Sequence, residues 1–314
     1  MIRWFTVCCV LGVVFVNGWT DAPNAIAAAV STRALTMRRG VVTATVMNLF
    51  GGLTALFLGK RVAETVFHLG AFPPDLRGGC ALAAAMVAVI LWAVTAWRFG
   101  IPTSESHGLM AGLMGAALAL GEGGISLPAL GRVLAGLVVS VGVGYLLGWV
   151  FGQWFRALSP PDAVWCRGQR VSAALMAFTH GLQDTPKFAS ILLLTLGGGS
   201  SLPWWMAALC SLIMGLGTLC GGGRIIRTVG EKMVQLEQKQ GFAADLAGAL
   251  SLLVSTLQGL PVSTTHAKTC ALMGAADRTD RRVAGAMFLA WGLTFPACGL
   301  LAFLLTKLFL VFQF

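Results

Sequence analysis

The chain has 314 residues, 57% of them hydrophobic and only 11% charged. It carries 22 Lys+Arg against 12 Asp+Glu, a net charge of +10, and a mean hydropathy of +0.81. A soluble domain carries about 25% charged residues, so this composition excludes a soluble enzyme, a disordered chain and a nucleic-acid binder. It fits a lipid bilayer.

At roughly 20 apolar residues per crossing, the length accommodates about ten spans joined by short loops. In chain order the predicted apolar segments cover 4–30, 41–58, 79–97, 104–121, 130–155, 171–196, 202–221, 242–259, 264–276 and 283–312. The first and sixth are interrupted by polar residues and Pro. The ninth is too short to cross alone, and the last is long enough to cross with tilt. No small-residue cleavage site follows the first apolar run, so that segment is expected to remain in the mature protein. The eight cysteines include no C-x-x-C pair and read as small core residues. The stretch Arg224 to Gln240 is the most polar and is expected to be a short amphipathic or solvated segment.

Fourteen Lys and Arg fall in loops after odd-numbered segments, and six in the termini and the loops after even-numbered ones. Lys187 and Lys268 fall inside segments. Cytoplasmic loops are enriched in Lys and Arg. The split predicts a multi-pass protein of the cell (plasma or inner) membrane with both termini extracytoplasmic.

The chain repeats itself. Gly18-Trp19-Thr20-Asp21-Ala22-Pro23-Asn24 aligns with Gly181-Leu182-Gln183-Asp184-Thr185-Pro186-Lys187, 163 positions later. Gly100-Ile101-Pro102-Thr103-Ser104-Glu105-Ser106-His107 aligns with Gly259-Leu260-Pro261-Val262-Ser263-Thr264-Thr265-His266, 159 positions later. Leu-Met-Gly-Ala-Ala follows in both halves, with Gly115 and Gly274 each eight residues past the histidine. The predicted units are 1–158 and 159–314. Five spans per unit would place the second upside down relative to the first. The expected fold is therefore an all-α polytopic membrane protein of two inverted-topology repeats, with discontinuous helices meeting near the midplane.

Asp21 and Asp184 lie within apolar segments, where a carboxylate marks an ion or proton path by default. Related by the repeat, they would face one another and offer hard oxygen ligands to a small cation. The Pro-x-Ser motifs read as helix starts, with Pro presetting the first turn and Ser or Thr capping it. Such a terminus offers free backbone N–H groups and a partial positive charge, and so binds oxyanions. Thr103, Ser104, Ser106, Ser263, Thr264 and Thr265 would line a cradle for a tetrahedral anion. Plain capping and interhelical hydrogen bonding is the blander reading of the same hydroxyls. His107 and His266 are repeat-related and read more as packed side chains than as proton carriers. Lys187, at membrane depth, has three open readings: it binds the anion, pairs with Asp184, or stands in for a bound cation.

At these residues the sequence resembles the inorganic phosphate transporter (PiT) family of secondary carriers. The stretch from Asn17 and Gly18 through Asp21 and Asn24 to Thr36 is similar to its first signature, and Ser172 to Lys187 to its second. Gly100 to His107 and Pro261 to His266 resemble its two Pro-x-Ser/Thr-rich elements ending in His. The resemblance implies inverted repeats, extracellular termini, a homodimer, and import of phosphate with Na⁺ or H⁺. No cofactor is expected beyond that coupling ion. It also implies coupling-ion and substrate contacts by Asp21, Asn24 and Asp184, with possible Na⁺ at the two aspartates, and phosphate contacts by Ser104, Ser106, Ser263, Thr264 and Thr265. Thr103 and Lys187 join the substrate set, and Thr20, Gln183 and Glu105 the coupling-ion set.

Five residues depart from the family pattern. Thr20 and Gln183 replace the Asn that commonly precedes each signature Asp. Pro23 and Pro186 replace small residues. Glu105 stands where Ser or Thr is usual, and a carboxylate there would repel phosphate unless protonated or turned away. That favours H⁺ as the coupling ion. Competing readings are a carrier of sulfate or another oxyanion with the same fold, an ion channel or non-transporting membrane sensor, and, most remotely, an intramembrane hydrolase.

Overall fold

The computed structural model describes residues 2–101, 103–121, 124–198, 202–221, 223–233 and 236–312. Pro102, named above as a helix-start residue, lies outside them. Thirteen α-helices are described: α1 (Ile2–Thr20), α2 (Asn24–Ser31), α3 (Met37–Leu58), α4 (Lys60–Phe67), α5 (Leu76–Arg98), α6 (Glu105–Leu120), α7 (Leu127–Arg156), α8 (Asp162–Leu196), α9 (Trp204–Cys220), α10 (Gly223–Arg227), α11 (Gln238–Leu257), α12 (Thr264–Ala275) and α13 (Arg281–Phe312). A π-helical stretch, Thr228–Met233, follows α10. Among the described residues the sole β-type pairing is an isolated bridge between Gly70 and Ile125.

Each of the ten apolar segments coincides with a helix or, for the first, with the α1–α2 pair. Among the described residues six stretches are long and apolar enough to cross a membrane: Ile2–Ser31, Met37–Leu58, Leu76–Arg98, Leu127–Arg156, Gln238–Leu257 and Arg281–Phe312. The polar stretch after α9 is amphipathic. Ile225, Ile226, Val229 and Met233 are buried there while Arg224 and Arg227 are exposed. Short α4 was not among the expected segments. It buries Val62, Ala63 and Val66 on one side and directs Lys60, Arg61 and Glu64 outward.

One expectation fails. The sixth segment is not interrupted, because α8 runs unbroken through Asp184 with Pro186 inside it. A proline in a helix deletes one backbone hydrogen bond and crowds the preceding turn. Here the surroundings hold the helix in place. Gly59 leaves room for the Pro186 ring, and Gly181 lets the α3 backbone at Asn48 press against the same stretch. The first segment does break. Tight backbone bonds from Asn24 N–H to the Asp21 carbonyl and from Ala25 N–H to the Ala22 carbonyl turn the chain between α1 and α2.

The two halves pack by exchange. Helix α1 packs on α9 and α3 on α8, while α6 packs on α13 and α7 on α12. The repeat glycines explain the closeness. A Cβ on Gly18 would lie 2.0 Å from the Met214 carbonyl oxygen, and one on Gly181 would lie 2.2 Å from that of Asn48. Likewise Gly115 meets the carbonyl of Gly299 and Gly274 that of Tyr145. Only glycine allows these backbones to approach so closely.

The glycine that opens each second motif serves another purpose. Gly100 and Gly259 have φ of 69° and 74°. Ile101 N–H returns to the Ala96 carbonyl and Leu260 N–H to that of Ser255, which terminates α5 and α11 in matching left-handed caps. Each chain then restarts as a helix: Ser104 caps α6 and Ser263 caps α12. The capping prediction holds at both positions.

Two apolar clusters flank a polar layer. Along the first span, Val10, Val13 and Val14 belong to one cluster and Ala25, Ile26 and Ala28 to the other. Along α8, Phe188, Ala189, Ile191, Leu192 and Leu193 belong to the first and Met176 and Ala177 to the second. Between them lie the Asn17–Asn24 and Thr179–Lys187 stretches, which carry both aspartates.

Candidate functional site

The break between α1 and α2 holds Asp21, and the proline-containing turn of α8 holds Asp184. Both are buried, at 1% and 0% exposure. One ligand atom each of Asp21, Asp184 and His180 lie within 4.8 Å of one another. Two carboxylates and an imidazole at that spacing form a donor set able to take a cation.

Each aspartate reaches the helix start of the opposite half. Thr264 Oγ1 donates to Asp21 Oδ2 at 2.9 Å, and Thr265 donates to Asp21 Oδ1. Ser106 Oγ lies 3.5 Å from Asp184 Oδ1. The next residues repeat the pattern. Asn24 Nδ2 donates to Asp21 Oδ1 at 3.0 Å and to Thr265 Oγ1 at 3.2 Å. Lys187 Nζ donates to Asp184 Oδ1 at 2.7 Å and to Ser106 Oγ at 2.8 Å. Lys187 adds a third bond, to the Val262 carbonyl at 2.7 Å.

Asn17 and His180 are a further matched pair. Asn17 Nδ2 donates to Asp184 Oδ2 at 3.1 Å, and His180 Nε2 lies 3.5 Å from the same oxygen. His180 is held from its other nitrogen, 2.9 Å from Asn48 Oδ1. They stand immediately before the two repeated Asp motifs, 163 positions apart like the aspartates themselves, and that spacing is the signal that could have found them.

The coupling-ion candidates next to the aspartates face different neighbours. Thr20 donates to Glu105 Oε1 and to the Val16 carbonyl. Gln183 accepts from Thr256 and donates to the Leu260 carbonyl at 2.8 Å. Glu105 is 2% exposed, and its Oε2 has no hydrogen-bond partner.

Ser104 and Ser263 accept the backbone N–H of His107 and of His266. As caps they use an acceptor site and keep the hydroxyl proton. Thr103 is buried in the turn before α6. The rings of His107 and His266 lie 4.5 Å apart, centre to centre. Phe295 packs on His107 and Trp291 on His266. The two helix starts therefore lie side by side, with their positive ends toward the aspartates. The first amides of a helix lack intrahelical partners, so this centre combines carboxylates for a cation with helix termini for an anion.

A second buried ion pair was not anticipated. Lys268 on α12 bonds Asp245 on α11, both at 0% exposure. Asp245 lies near the start of an apolar segment, and neither residue belongs to a repeated motif.

Comparison with known proteins gives a consistent answer. A family model described as the phosphate transporter family matches residues 17–167 and 156–302. A probable low-affinity inorganic phosphate transporter of Rhizobium meliloti is 36% identical over 306 residues, covering 92% of this chain and 90% of that protein. Its Bacillus subtilis counterpart is 32% identical over 311 residues, covering 92% of each. A solved structure titled the sodium-dependent phosphate transporter has the same fold, with a TM-score of 0.87 at 21% identity and 99% of both chains covered.

Proposed function

The chain belongs to the phosphate transporter family, and we propose that it is a secondary active transporter, not an enzyme, that imports inorganic phosphate with a cation, H⁺ or Na⁺. The observation that carries this reading is the exchange at the centre. Asp21 of the first half is held by Thr264 and Thr265 of the second, and Asp184 of the second faces Ser106 of the first. A site shared in this way closes only when the halves meet, so rocking one against the other opens it to either side in turn.

The proposed topology has residues 1–158 and 159–314 as inverted repeats, with the ten segments as membrane spans and both termini extracytoplasmic in the cell membrane. The exchanged helix pairs and the matched glycine contacts support it. A homodimer belongs to the same reading by family likeness. The exposed apolar faces of α7 and α13, such as Leu134, Val138, Leu300 and Leu304, suit lipid or a second copy.

Phosphate binds between the starts of α6 and α12, taking their free amides and the hydroxyl protons of Ser104, Ser106 and Ser263, with Thr103, Asn24, Thr264 and Thr265 at its edge. The coupling cation sits at Asp21, beside Asp184, with Thr20 and Gln183 fixing the adjoining turns. Sodium dependence is stated of the structurally similar protein. Here Glu105, with one buried oxygen unpartnered, suits a proton carrier and favours H⁺.

Equilibrium binding of labelled phosphate to the purified protein tests this reading. Excess sulfate should compete poorly, and Ser106→Ala and Thr265→Ala, one from each half, should each weaken phosphate binding. Equal competition by sulfate would reassign the substrate, and intact binding in both variants would remove the shared site.

A further inference from the structure

Lys187 is fully buried, and its ammonium has three acceptors within bonding distance: Asp184 Oδ1 at 2.7 Å, Val262 O at 2.7 Å and Ser106 Oγ at 2.8 Å. An ammonium has three N–H donors. All three are used, so none is left for an anion. The acceptors are a carboxylate, a main-chain carbonyl and a hydroxyl, the hard-oxygen mixture that small metal cations take. The ammonium thus stands where a cation would be ligated, tethered by its own side chain.

The first half lacks this feature. Its matching residue is the neutral Asn24, bonded to Asp21 Oδ1 and Thr265 Oγ1 in the same relation. Around the centre, Asp21, Asp184 and Glu105 contribute three carboxyls and Lys187 one ammonium. Buried charges at such a site need compensation, and Lys187 supplies it at Asp184 alone.

We propose that Lys187 is a built-in cation that occupies one of two repeat-related cation places, leaving Asp21 as the place where a mobile cation or proton is taken up. This rests on the transport reading above, because the filled place is one that a coupling ion would otherwise occupy. It makes position 187 a determinant of ion stoichiometry: a neutral residue there opens a second monovalent-cation place.

The test counts radiolabelled Na⁺ bound per purified chain in choline-balanced buffer without phosphate, for wild type, Lys187→Asn and Lys187→Asn/Asp184→Asn. Lys187→Asn should bind one Na⁺ more per chain than wild type, and the double variant should lose it. The same count in Lys187→Asn as in wild type would overturn the proposal. If Lys187→Asn folds poorly, the yield of monodisperse protein becomes the readout. NaCl at a concentration where choline chloride is ineffective should restore it, and failure of both salts alike would also overturn the proposal. Because Na⁺ is counted without phosphate, a wild type that takes up no phosphate would refute the transport reading and leave the count interpretable.

Discussion

Asn24 and Lys187 stand 163 positions apart in equivalent places, and each bonds the aspartate three residues before it and a hydroxyl from the opposite half's helix start. One is neutral and the other charged. The two halves therefore build the same local architecture around different electrostatics, and the consequences of mutation should differ between them.

Removing the charge of Asp184 strands an ammonium in a buried site. Breaking one partner of a buried pair costs about 3–5 kcal/mol. Asp184→Asn should therefore lower thermal stability in detergent sharply, while Asp21→Asn should abolish transport with a smaller loss of stability. Melting curves of both variants check this. Equal melting losses would contradict the assignment of Lys187 to Asp184.

The Asp245–Lys268 pair joins α11 to α12 and belongs to no repeated motif. It is assigned a structural role. Either single change, Asp245→Asn or Lys268→Met, should cost about 3–5 kcal/mol, while Asp245→Leu/Lys268→Met should regain most of it. The double variant should transport phosphate at close to the wild-type rate per folded molecule. Lost transport in a well-folded double variant would place this pair in the mechanism.

Glycine substitutions should separate the inter-half contacts from the lipid-facing surface. Alanine at Gly18 or Gly181 drives a methyl into a carbonyl about 2 Å away, and overpacking of that kind costs about 1–3 kcal/mol or more. Gly142 and Gly292 have nothing within 4 Å of an added Cβ. Alanine there should be neutral or stabilising by about 0.5–1 kcal/mol, because it restores helix propensity. Folded yield and melting temperature of the four variants provide the comparison.

Glu105→Gln keeps an acceptor for Thr20 and removes a titratable group. Uptake by this variant should lose its acceleration by an acid-outside gradient. Unchanged pH dependence would exclude Glu105 as a proton carrier.

Much of this site was legible in the sequence because the chain states it twice. A polar residue in an apolar run is ambiguous alone, but Asp21 and Asp184 occur in matched surroundings. Ser104 and Ser263 were readable as caps because serine before an apolar run, with a glycine and proline upstream, is local chemistry. Asp245 and Lys268 escaped notice because they meet across two helices, and no spacing along one segment signals such a pair. The continuity of α8 was missed for a related reason. Pro186 carries a local helix-breaking preference, whereas the contacts that override it come from α3 and from Gly59, far away in sequence. The proximity of His107 and His266 likewise follows from how the two helix starts converge, which the repeat implied without giving a distance.

Coupled phosphate movement through a site built by both halves is open to direct measurement. The most direct measurement is uptake of labelled phosphate into proteoliposomes under separate H⁺ and Na⁺ gradients, with excess sulfate as competitor. Phosphate accumulation should follow a cation gradient, resist sulfate, and be lost in Asp21→Asn. Gradient-independent flux, or sulfate accumulating in place of phosphate, would contradict it.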